Sequence, residues 1–548
     1  MMRYGTITME KALADQPPFS QRSAAAPRDD DPRPWLKAKQ QDLTIITPLA
    51  LQALTQRNHP ERLFLQGGAP VRLEVDQQDI PRLRELSPER TRHELARAAR
   101  WFVPEHPQGQ PAWRRLVLPP SAVVTDVLAT PTLPFPPLTR LVEVPVFAPD
   151  GTLQTTPGHH PASQTYYQPP TGFVLPVVPD QPTPADLDRA RSLLCDDLLG
   201  EFPFTSDAEQ ANAIALLLLP FARDLIDGPT PLHLIEAPTP GSGKGLLADV
   251  LTAPAMGHRQ GLLAEGRDDD EWRKRLTAVL REGHSVVQID NVTRPLDSGA
   301  LAAALTAHWW TDRILGKTET IQVPVRCVWL ATGNNPVLSL EIARRTVRIR
   351  LDPLVDRPWQ RTGFRHPQLR QWATTHRADL VGAALTLIRA WLVDPQPAPQ
   401  HLGGYERWSE VIGGILACAG ITGFLANLSE FYDRADLESA IWRQFVAAWW
   451  EQYQSQTVGT ADLFDLAVNT EMDLGRGADR SQRTVFGKKL AAHRDRVIGD
   501  YRIAFAGTVK RLKHWQLLPT RADVGVHGAH RRTFPPIATR ENRGKSPQ

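Results

Sequence analysis

Cysteine is scarce in this 548-residue sequence, which contains only Cys195, Cys327 and Cys418. The three are scattered and form no Cys-x-x-Cys pair, which argues against a zinc site or a disulfide framework and favours a reducing compartment. Long apolar runs are missing too, because the longest, residues 213–219, is far shorter than the ~20 residues of a membrane helix. The first residues lack the apolar segment of a signal peptide. We therefore expect a cytoplasmic protein with no membrane partner.

The sequence also lacks a strong overall charge and any internal repeat. Its formal net charge is +3, which by itself identifies no partner. With 41% hydrophobic and 22% charged residues, the composition is that of an ordinary globular protein. The length allows roughly three or four domains of ~150 residues each.

Changes in residue pattern divide the chain into segments. The middle of the chain alternates apolar strand-like runs with helical patterns, which is typical of an α/β fold with a parallel sheet. Residues 366–440 show helical patterns, with Gly403-Gly404 and Gly413-Gly414 as breaks. The predicted segments are a disordered tail (1–40), a small α+β N-terminal domain (41–103), a Pro-rich irregular or β region (104–185), a P-loop core (186–355), a helical domain (356–440), a basic domain (441–518) and a second disordered tail (519–548).

Local patterns predict a few elements before the core. Two strands flank the Gly67-Gly68 turn, and a helix begins at Pro88 and carries Trp101 on its apolar face. A hairpin is expected near Asp150-Gly151.

The segment LHLIEAPTPGSGKGLL, residues 232–247, carries most of the functional information. An apolar strand leads into a Pro- and Gly-rich loop, a lysine and the start of a helix, an arrangement that cradles the phosphates of a nucleotide such as ATP. Pro238 and Gly245 depart from the pattern G-x-x-x-x-G-K-[ST], and a Pro/Gly turn with an exposed lysine is the alternative. The predicted nucleotide-binding residues are Pro240, Gly241, Ser242, Gly243, Lys244, Gly245 and Leu246.

Two later apolar runs end in polar residues, at the strand ends where parallel sheets bind ligands. Residues 285–291 form an apolar strand pattern followed by Asp290 and Asn291, and Asp290 could hold Mg²⁺ through water. Residues 327–336 contain Asn334, whose amide both donates and accepts, so that it could orient water and the γ-phosphate, with Asn335 in reserve. A simple turn after a core strand is the alternative for both. Lys244, Asp290 and Asn334 belong to the predicted catalytic set, which the arginines described next complete.

Two arginines follow the second strand, and Arg345 lies eleven residues after Asn334. Arg344 and Arg345 precede a strand-like alternation that contains Arg348 and Arg350. An arginine from a neighbouring subunit can stabilise the charge on a transferring phosphoryl group, and we predict Arg345 for this role, with Arg344 as the alternative. A solvated basic edge strand is the interpretation that suits Arg348 and Arg350 better.

These four elements, in this order, resemble the AAA+ P-loop ATPase core of superfamily-three helicases, especially the helicase half of phage and mobile-element primase-helicases. The resemblance covers about residues 190–440 and includes DDDEWRKRL (268–276), DRILGKTETIQVP (312–324), ATGNNP (331–336) and ARRTVRIRLD (343–352). It implies a homo-oligomeric ring, usually a hexamer, with ATP and Mg²⁺ between subunits. It also implies 3′-to-5′ movement on single-stranded DNA by a pore hairpin, whose tip would carry Lys317; a solvent-exposed β-turn is the alternative.

Two departures from the family pattern affect hydrolysis. Gly245 lacks the hydroxyl that normally ligates Mg²⁺, and Asn291 stands where a Glu often polarises the attacking water. Either hydrolysis is slow or another carboxylate, among residues 268–271, serves. No zinc element or clear paired-carboxylate motif marks a primase, so we expect any primase to be a separate protein.

The segment from Arg476 to Lys513 is strongly basic, with eleven Lys or Arg against three Asp. Helical patterns at 460–468 and 480–494 precede strand patterns near Tyr501 and Trp515, which is typical of a winged helix that binds duplex DNA. A basic lid that contacts an acidic partner is the alternative. Besides Lys317 in the pore hairpin, the predicted DNA-binding residues are Arg483, Lys488, Lys489, Lys510 and Arg511.

The sequence therefore favours an ATP-dependent, ring-forming DNA helicase or translocase in the replication of a phage or mobile element. Gly245 and Asn291 motivate a second hypothesis, a nucleotide-gated DNA-binding protein with little or no unwinding. A scaffold that binds no nucleotide is the third.

Overall fold

The computed structural model describes residues 31–75, 81–106, 113–257, 262–313, 320–435, 437–474, 478–509 and 512–520, without the side chains of 434–440. The chain forms two compact units, Met1–Ala435 and Asp436–Gln548.

In the residues that the structure describes, the N-terminal part of the first unit contains small sheets and three helices. Its sheets have the strand orders β1-β5-β6, β2-β3-β4, β10-β11-β7 and β8-β9. The hairpins predicted around Gly67-Gly68 and Asp150-Gly151 are confirmed. The elements are β1 (Trp35–Lys37), α1 (Leu43–Arg57), β2 (Leu63–Gln66), β3 (Ala69–Val75), β4 (Pro81–Glu85), α2 (Pro88–Ala98), β5 (Arg100–Glu105), β6 (Trp113–Leu116), α3 (Ser121–Ala129), β7 (Arg140–Val142), β8 (Val146–Phe147), β9 (Leu153–Gln154), β10 (Gly158–His160) and β11 (Thr165–Tyr167).

Two details in this part differ from the sequence predictions. β1 lies within the predicted disordered tail, because Leu36 is buried and the strand pairs in parallel with β5. Trp101 lies on β5 rather than on α2, and its indole N–H donates to the carbonyl oxygen of Leu95 at 3.0 Å. The tryptophan therefore closes the end of the helix from the neighbouring strand.

Helix α3 lies in the region predicted to be irregular or β. Its valines Val123, Val124 and Val127 favour strands locally. They are nevertheless buried in the apolar cluster that also contains residues of α1 and α2. Tertiary packing, rather than the local preference of the valines, therefore makes this segment helical. That cluster extends from Leu36 to Phe135, across the predicted boundary at residue 104.

The centre of the first unit alternates strands with helices. Strands β13, β16, β12 and β17, in that order, form a parallel sheet, which confirms the predicted α/β arrangement. β12 is buried along its whole length between apolar clusters on both faces of the sheet. The elements are α4 (Pro184–Ser192), α5 (Asp207–Ala222), β12 (Leu232–Ala237), α6 (Lys244–Met256), α7 (Asp269–Arg281), β13 (Val286–Val292), α8 (Gly299–Thr306), β14 (Trp309–Arg313), β15 (Thr320–Pro324), β16 (Val328–Asn334), α9 (Leu340–Ala343) and β17 (Thr346–Arg350).

Strands β14 and β15 form an antiparallel hairpin. The side chain of Trp310 anchors it to α7, because its indole N–H donates to Thr277 Oγ1 at 2.9 Å and that hydroxyl donates to Asp312 at 2.6 Å. The predicted tip with Lys317 lies outside the described residues.

The β2–β3 turn rests against the same hairpin. Gly67 has a left-handed backbone (φ 56°), and it lies so close to the carbonyl group of Gln322 on β15 that a Cβ atom would not fit. The N-terminal sheet and the hairpin are therefore in direct backbone contact.

The predicted helical region after the sheet is confirmed by α10 (Leu369–Thr375), α11 (Arg377–Val393), α12 (Glu406–Cys418) and α13 (Leu428–Ala435). Gly404 (φ 83°) breaks the chain before α12, as predicted. The second predicted break is wrong, because Gly413 and Gly414 lie inside α12. A Cβ atom at Gly413 would lie 2.8 Å from the Phe424 ring, so this glycine permits close packing rather than a turn.

Strand β17 is not the solvated basic strand that the alternation of Arg348 and Arg350 indicated. The Arg348 side chain is 2% exposed and donates to Glu209 of α5 at 3.0 Å. Burial raises the pKa of Glu209, and the charge of Arg348 opposes this shift. Arg350 donates to Glu236 of β12 at 2.7 Å. Both arginines therefore join β17 to neighbouring elements.

The second unit contains the helices and strands expected between residues 460 and 518. An antiparallel sheet of order β18-β21-β20-β19 packs with the helices around buried Trp449, Phe486 and Trp515. The elements are α14 (Leu437–Tyr453), β18 (Val458–Gly459), α15 (Thr460–Asn469), α16 (Asp479–Ala492), β19 (Val497–Ile498), β20 (Tyr501–Val509) and β21 (Leu512–Pro519).

Candidate functional site

The loop between β12 and α6 has the backbone of a phosphate cradle. Gly241 (φ 77°) and Gly243 (φ 95°) adopt left-handed conformations that favour glycine. Gly243 is the residue before the first turn of α6, whose leading N–H groups lack helical partners. Ser242 donates its hydroxyl to the carbonyl of Thr239 at 2.7 Å and closes the loop. An anion held here would meet several N–H donors at once.

Lys244 links this loop to strand β16. Its Nζ donates to Oδ1 of Asn334 at 2.6 Å and lies 3.4 Å from the carbonyl oxygen of Thr239. Desolvation of the half-buried ammonium lowers the pKa of Lys244, and the negative charge of Asp290 opposes the shift. The fold thus brings three residues of the predicted catalytic set to one edge of the sheet.

Asn334, rather than its reserve Asn335, faces the lysine. Asn335 has a left-handed backbone (φ 42°), and its Oδ1 accepts from Arg350 at 3.0 Å. The same guanidinium donates to Glu236, so Asn335 belongs to a neighbouring polar group.

Asp290 is held at the end of β13 by a hydroxyl from the adjacent strand. Thr332 donates to Asp290 Oδ1 at 2.7 Å and accepts from the backbone N–H of Asn291 at 2.9 Å. Asn291 is exposed and left-handed (φ 51°), at an irregularity in the pairing of β13 with β16. Thr332 was not among the predicted residues, although a polar residue at the end of an apolar run is a usable signal.

Gly245, which lacks the hydroxyl of the usual pattern, faces open space. A Cβ atom there would meet no heavy atom within 4 Å. It lines a cavity of about 390 Å³ together with Asp290. Proteins bind Mg²⁺ through one or two carboxylates and substrate phosphates while it keeps several waters. Asp290, beside room for water, fits this pattern. In the described part of the chain, no group of three or more His, Cys, Asp or Glu could hold a metal without such phosphates.

The two remaining residues predicted to bind the nucleotide are Pro240 and Leu246. Pro240 is exposed at the tip of the loop, and Leu246 is half-buried beneath it. Leu246 packs against the main apolar cluster, which fixes the first turn of α6 on the sheet.

Two of the four carboxylates considered as alternative bases, Asp268 and Asp269, have structural roles. Asp268 caps α7 by accepting from the Glu271 N–H at 2.8 Å. Asp269 accepts from the Ser298 hydroxyl and the Ala300 N–H at 2.7 and 2.9 Å, at the start of α8. These hydrogen bonds tie the two helices together.

Arg344 and Arg345 lie at the amino ends of the parallel strands, whereas the phosphate loop lies at their carboxyl ends. They precede β17, which runs parallel to β12, and its five residues span about 16 Å. Arg345 donates to the carbonyl of Glu341 at 2.6 Å, and its side chain is 12% exposed. Arg344 is exposed. Of the two, Arg344 is therefore presented to the surroundings, in the reverse of the predicted order.

A further cavity, of about 520 Å³, opens beside the phosphate loop. Its walls come from residues 201–203 and 358–371, which were not among the predicted site residues. The Trp359 ring packs on Gly241, and the Phe202 ring packs near Gly243. No spacing in the sequence links these segments, although the aromatic content of residues 359–372 is a signal.

The predicted DNA-binding residues of the second unit lie on α16 where they are described. Phe486 and Leu490 are buried, and Lys488 is exposed on the other side of the helix. Arg483 pairs with Asp479 at 2.8 Å and lies over the ring of Phe464.

The remaining members of this set are less informative. Lys489 is half-buried on the same helix. Lys510 and Arg511 lie outside the described residues. Lys488 is therefore the described member most open to a ligand.

As for the membrane prediction, no helix within the described ranges has both the length and the hydropathy to cross a bilayer.

Comparison with protein-family models and with curated proteins finds no match. Among solved structures, the chain is similar to the apo NrS-1 C-terminal region, with a TM-score of 0.36 and 10% identity over 82% of this chain and 96% of that one. It is also similar to SCCmec type IV Cch, described as an active helicase (TM-score 0.32, 9% identity, 84% and 97% covered). JCV helicase gives a TM-score of 0.20 and 13% identity, with 48% and 71% covered.

Proposed function

We propose that this protein is an ATP-dependent, ring-forming DNA helicase or translocase that serves the replication of a phage or mobile genetic element. The observation that carries the proposal is the 2.6 Å contact of Lys244 with Asn334, beside Asp290, at the carboxyl edge of the parallel sheet. A cation, an amide and a carboxylate at this edge match the needs of phosphoryl transfer to water. The resemblance of the motifs to superfamily-three helicases supplies the reaction class.

Each residue has its own part in ATP hydrolysis. The N–H groups of the loop and the Lys244 ammonium bind the phosphate oxygens. The Asn334 amide accepts from the attacking water and donates to the γ-phosphate, which aligns the two. Asp290 would hold Mg²⁺ through water, and the bound ion would neutralise charge on the β- and γ-phosphates.

The arginines favour a ring as the active form. Arg344 is exposed and lies at the far edge of the sheet from the loop of its own subunit. An arginine in this position is useful to hydrolysis when it reaches the nucleotide of a neighbouring subunit. We therefore rank Arg344 ahead of Arg345, which Glu341 holds, and a hexamer is the assembly that the family resemblance implies.

Two elements supply the DNA contacts. The β14–β15 hairpin would carry Lys317 into a central pore, where it would contact the phosphates of single-stranded DNA. The order of helices and strands in the second unit fits a winged helix, with α16 presenting Lys488 to duplex DNA. A primase, where one takes part, would be a separate protein in the cytoplasm.

The test measures the ATPase rate with and without single-stranded DNA, together with particle mass with and without ATP. We expect DNA to stimulate hydrolysis, ATP to shift the mass to a ring, and Lys244→Ala to abolish hydrolysis. An absence of hydrolysis under all conditions, with no effect of Lys244→Ala on any activity, overturns the motor function.

A second candidate is a nucleotide-gated DNA-binding protein in which turnover is minor. The open space at Gly245 and the amide of Asn291, which cannot serve as a general base, favour it. A strand-displacement assay on a forked duplex separates the two functions. Under this alternative, displacement stays flat while ATP still drives assembly.

A further inference from the structure

We propose that a basic cavity in the N-terminal part of the first unit binds the phosphate groups of a nucleic-acid strand. This N-terminal cavity has a volume of about 770 Å³, and none of its lining residues belongs to the phosphate loop, the β14–β15 hairpin or α16. The inference rests on the proposed function in one respect, because it takes the strand on which a helicase would move as the ligand. It adds a contact with that strand outside the elements already proposed to bind DNA.

Four arginines from separate segments converge on the N-terminal cavity. Arg57 ends α1, Arg62 precedes β2, Arg72 lies on β3 and Arg97 lies in the last turn of α2. Side chains of like charge repel one another, so their convergence is unfavourable until an anion neutralises them. The planar guanidinium group presents its N–H donors in a geometry that matches the oxygen atoms of a phosphate.

Carboxylates that line the cavity neutralise only one of these arginines. Arg72 donates to Glu94 at 2.8 Å and also pairs with Glu74, and these two are the only carboxylates among the described lining residues. The other three arginines are exposed, and none forms an ion pair with a residue that the structure describes. Arg97 makes one contact, to the carbonyl oxygen of His93 at 3.2 Å, which leaves most of its donors open.

The exposure of the rim favours a strand over a small enclosed ligand. The three arginines without a carboxylate partner share the rim with His59 and His93, which are also exposed. Small ligands are usually buried over most of their surface, whereas a strand lies in an open basic groove with one side in solvent. The half-buried ring of Tyr166 also lines the cavity, and aromatic rings in such grooves stack with bases.

The N-terminal cavity shares a structural element with the hairpin proposed to contact DNA. Leu63 of β2 and Arg72 of β3 both line the cavity and are direct partners in their antiparallel pair. The turn of the same pair contains Gly67, which contacts the backbone of Gln322 on β15. About 13 Å of extended strand separates Leu63 from this turn. A strand that reaches the β14–β15 hairpin would therefore have this basic surface close by.

The experiment measures the dissociation constant of the full-length protein for labelled oligothymidine at several salt concentrations. Each contact of a cation with a phosphate of a single strand adds about 0.7 to the slope of log Kd against log salt concentration. The triple variant Arg57→Ala/Arg62→Ala/Arg97→Ala should therefore bind more weakly, with a slope that is smaller by about 2. Strands of other sequence should lose affinity equally, because phosphate contacts carry no sequence information.

Arg92 supplies a matched control for Arg97. Both are exposed arginines on α2, but Arg92 does not line the cavity. Arg97→Ala should lower the slope by about 0.7, while Arg92→Ala, which removes the same charge, should leave the slope unchanged. Arg97→Lys should keep the wild-type slope, because lysine retains the charge that releases the counterion.

A second probe distinguishes a strand from a free phosphate compound. Tripolyphosphate is titrated into Lys244→Ala protein, in which the phosphate loop lacks its charge, with and without the three arginine substitutions. If these substitutions abolish tripolyphosphate binding but leave oligothymidine binding unchanged, the ligand of the cavity is a small anion and the assignment to a strand is wrong.

The outcomes separate this inference from the proposed function. If DNA stimulates ATP hydrolysis and the triple variant keeps the wild-type salt slope, the N-terminal cavity is wrong and the helicase function stands. If DNA does not stimulate hydrolysis but the triple variant loses slope, the cavity stands and the motor function fails. Equal losses of slope in the Arg92→Ala and Arg97→Ala variants would overturn the cavity, because overall charge would then explain both.

Discussion

The Lys244 ammonium and the side-chain oxygen of Asn334 lie 2.6 Å apart, although 90 residues separate them in the chain. One residue begins a helix and the other ends the strand beside β12. The contact joins the group proposed to bind phosphate to the group proposed to orient water. Substitution of either residue should therefore disturb the site, but in different ways.

Lys244→Ala should abolish both nucleotide binding and hydrolysis, because it removes the only charge of the loop. Asn334→Ala should reduce turnover by roughly 100-fold, the typical effect of removing one aligned donor, while nucleotide affinity changes little. Separate measurements of Kd and kcat distinguish the two variants. Lys39→Ala, at an exposed position after β1, is the control and should behave as wild type. Equal losses of affinity in the Lys244 and Asn334 variants would contradict the division of roles.

Nucleotide affinity should depend on pH through Lys244. Burial lowers the pKa of this ammonium below its usual 10.5, so the charge is lost as the pH rises through the lowered value. ATP affinity should fall in that range, below the pH at which exposed lysines lose their protons. Arginine keeps its charge to about pH 12, so Lys244→Arg should give a flat profile. If the ATP affinity of the wild-type protein is equally independent of pH, deprotonation of Lys244 does not control nucleotide binding.

Gly245→Thr should lower the Mg²⁺ concentration that half-maximal hydrolysis requires. The side chain enters open space and adds the hydroxyl that ligates Mg²⁺ in the usual pattern. Gly245→Ala is the control, since it adds a methyl group and stabilises the helix by up to about 1 kcal/mol without offering a ligand. Identical Mg²⁺ titrations for the Thr and Ala variants would exclude a metal contact at this position.

Arg344→Ala should abolish stimulated hydrolysis without changing nucleotide affinity. The exposed arginine would act on the site of a neighbouring subunit, so mixing Arg344→Ala protein with Lys244→Ala protein should restore activity. Roughly a quarter of the interfaces in a random mixed ring would pair an intact lysine with an intact arginine. A mixture as inactive as its components would rule out action between subunits. The same experiment on Arg345→Ala tests the order of the two arginines.

Arg348→Ala should destabilise the first unit by about 3–5 kcal/mol, because it leaves the carboxylate of Glu209 buried without its charge partner. Arg348→Met should cost less, since it fills the space that the alanine leaves. Urea denaturation measures both, with Arg344→Ala as an exposed-arginine control that should unfold like wild type. Equal stability of Arg348→Ala and wild type would mean that Glu209 is protonated in the folded protein.

The local pattern predicted the strand, loop and helix around Lys244, since each step is encoded within sixteen neighbouring residues. Asp290 and Asn334 were also foreseen, because parallel strands place their carboxyl ends at one edge. The prediction failed where a partner is distant in sequence. Arg348 reads as solvated until Glu209, 139 residues away, is known to lie beside it. The cavity lined by His366 was not predicted for the same reason, because its walls come from two segments without a shared motif.

The contact of Gly67 with the backbone of Gln322 joins the β2–β3 turn to the β14–β15 hairpin. Two backbones in contact without a side chain between them have no flexible spacer that could absorb a displacement. In the proposed translocase, a stroke of the hairpin would either separate the two segments or carry the β2–β3 turn with it. The small N-terminal sheet would in that case resist movement of the hairpin. Its packing would then help to set the distance that the hairpin moves along DNA in each step.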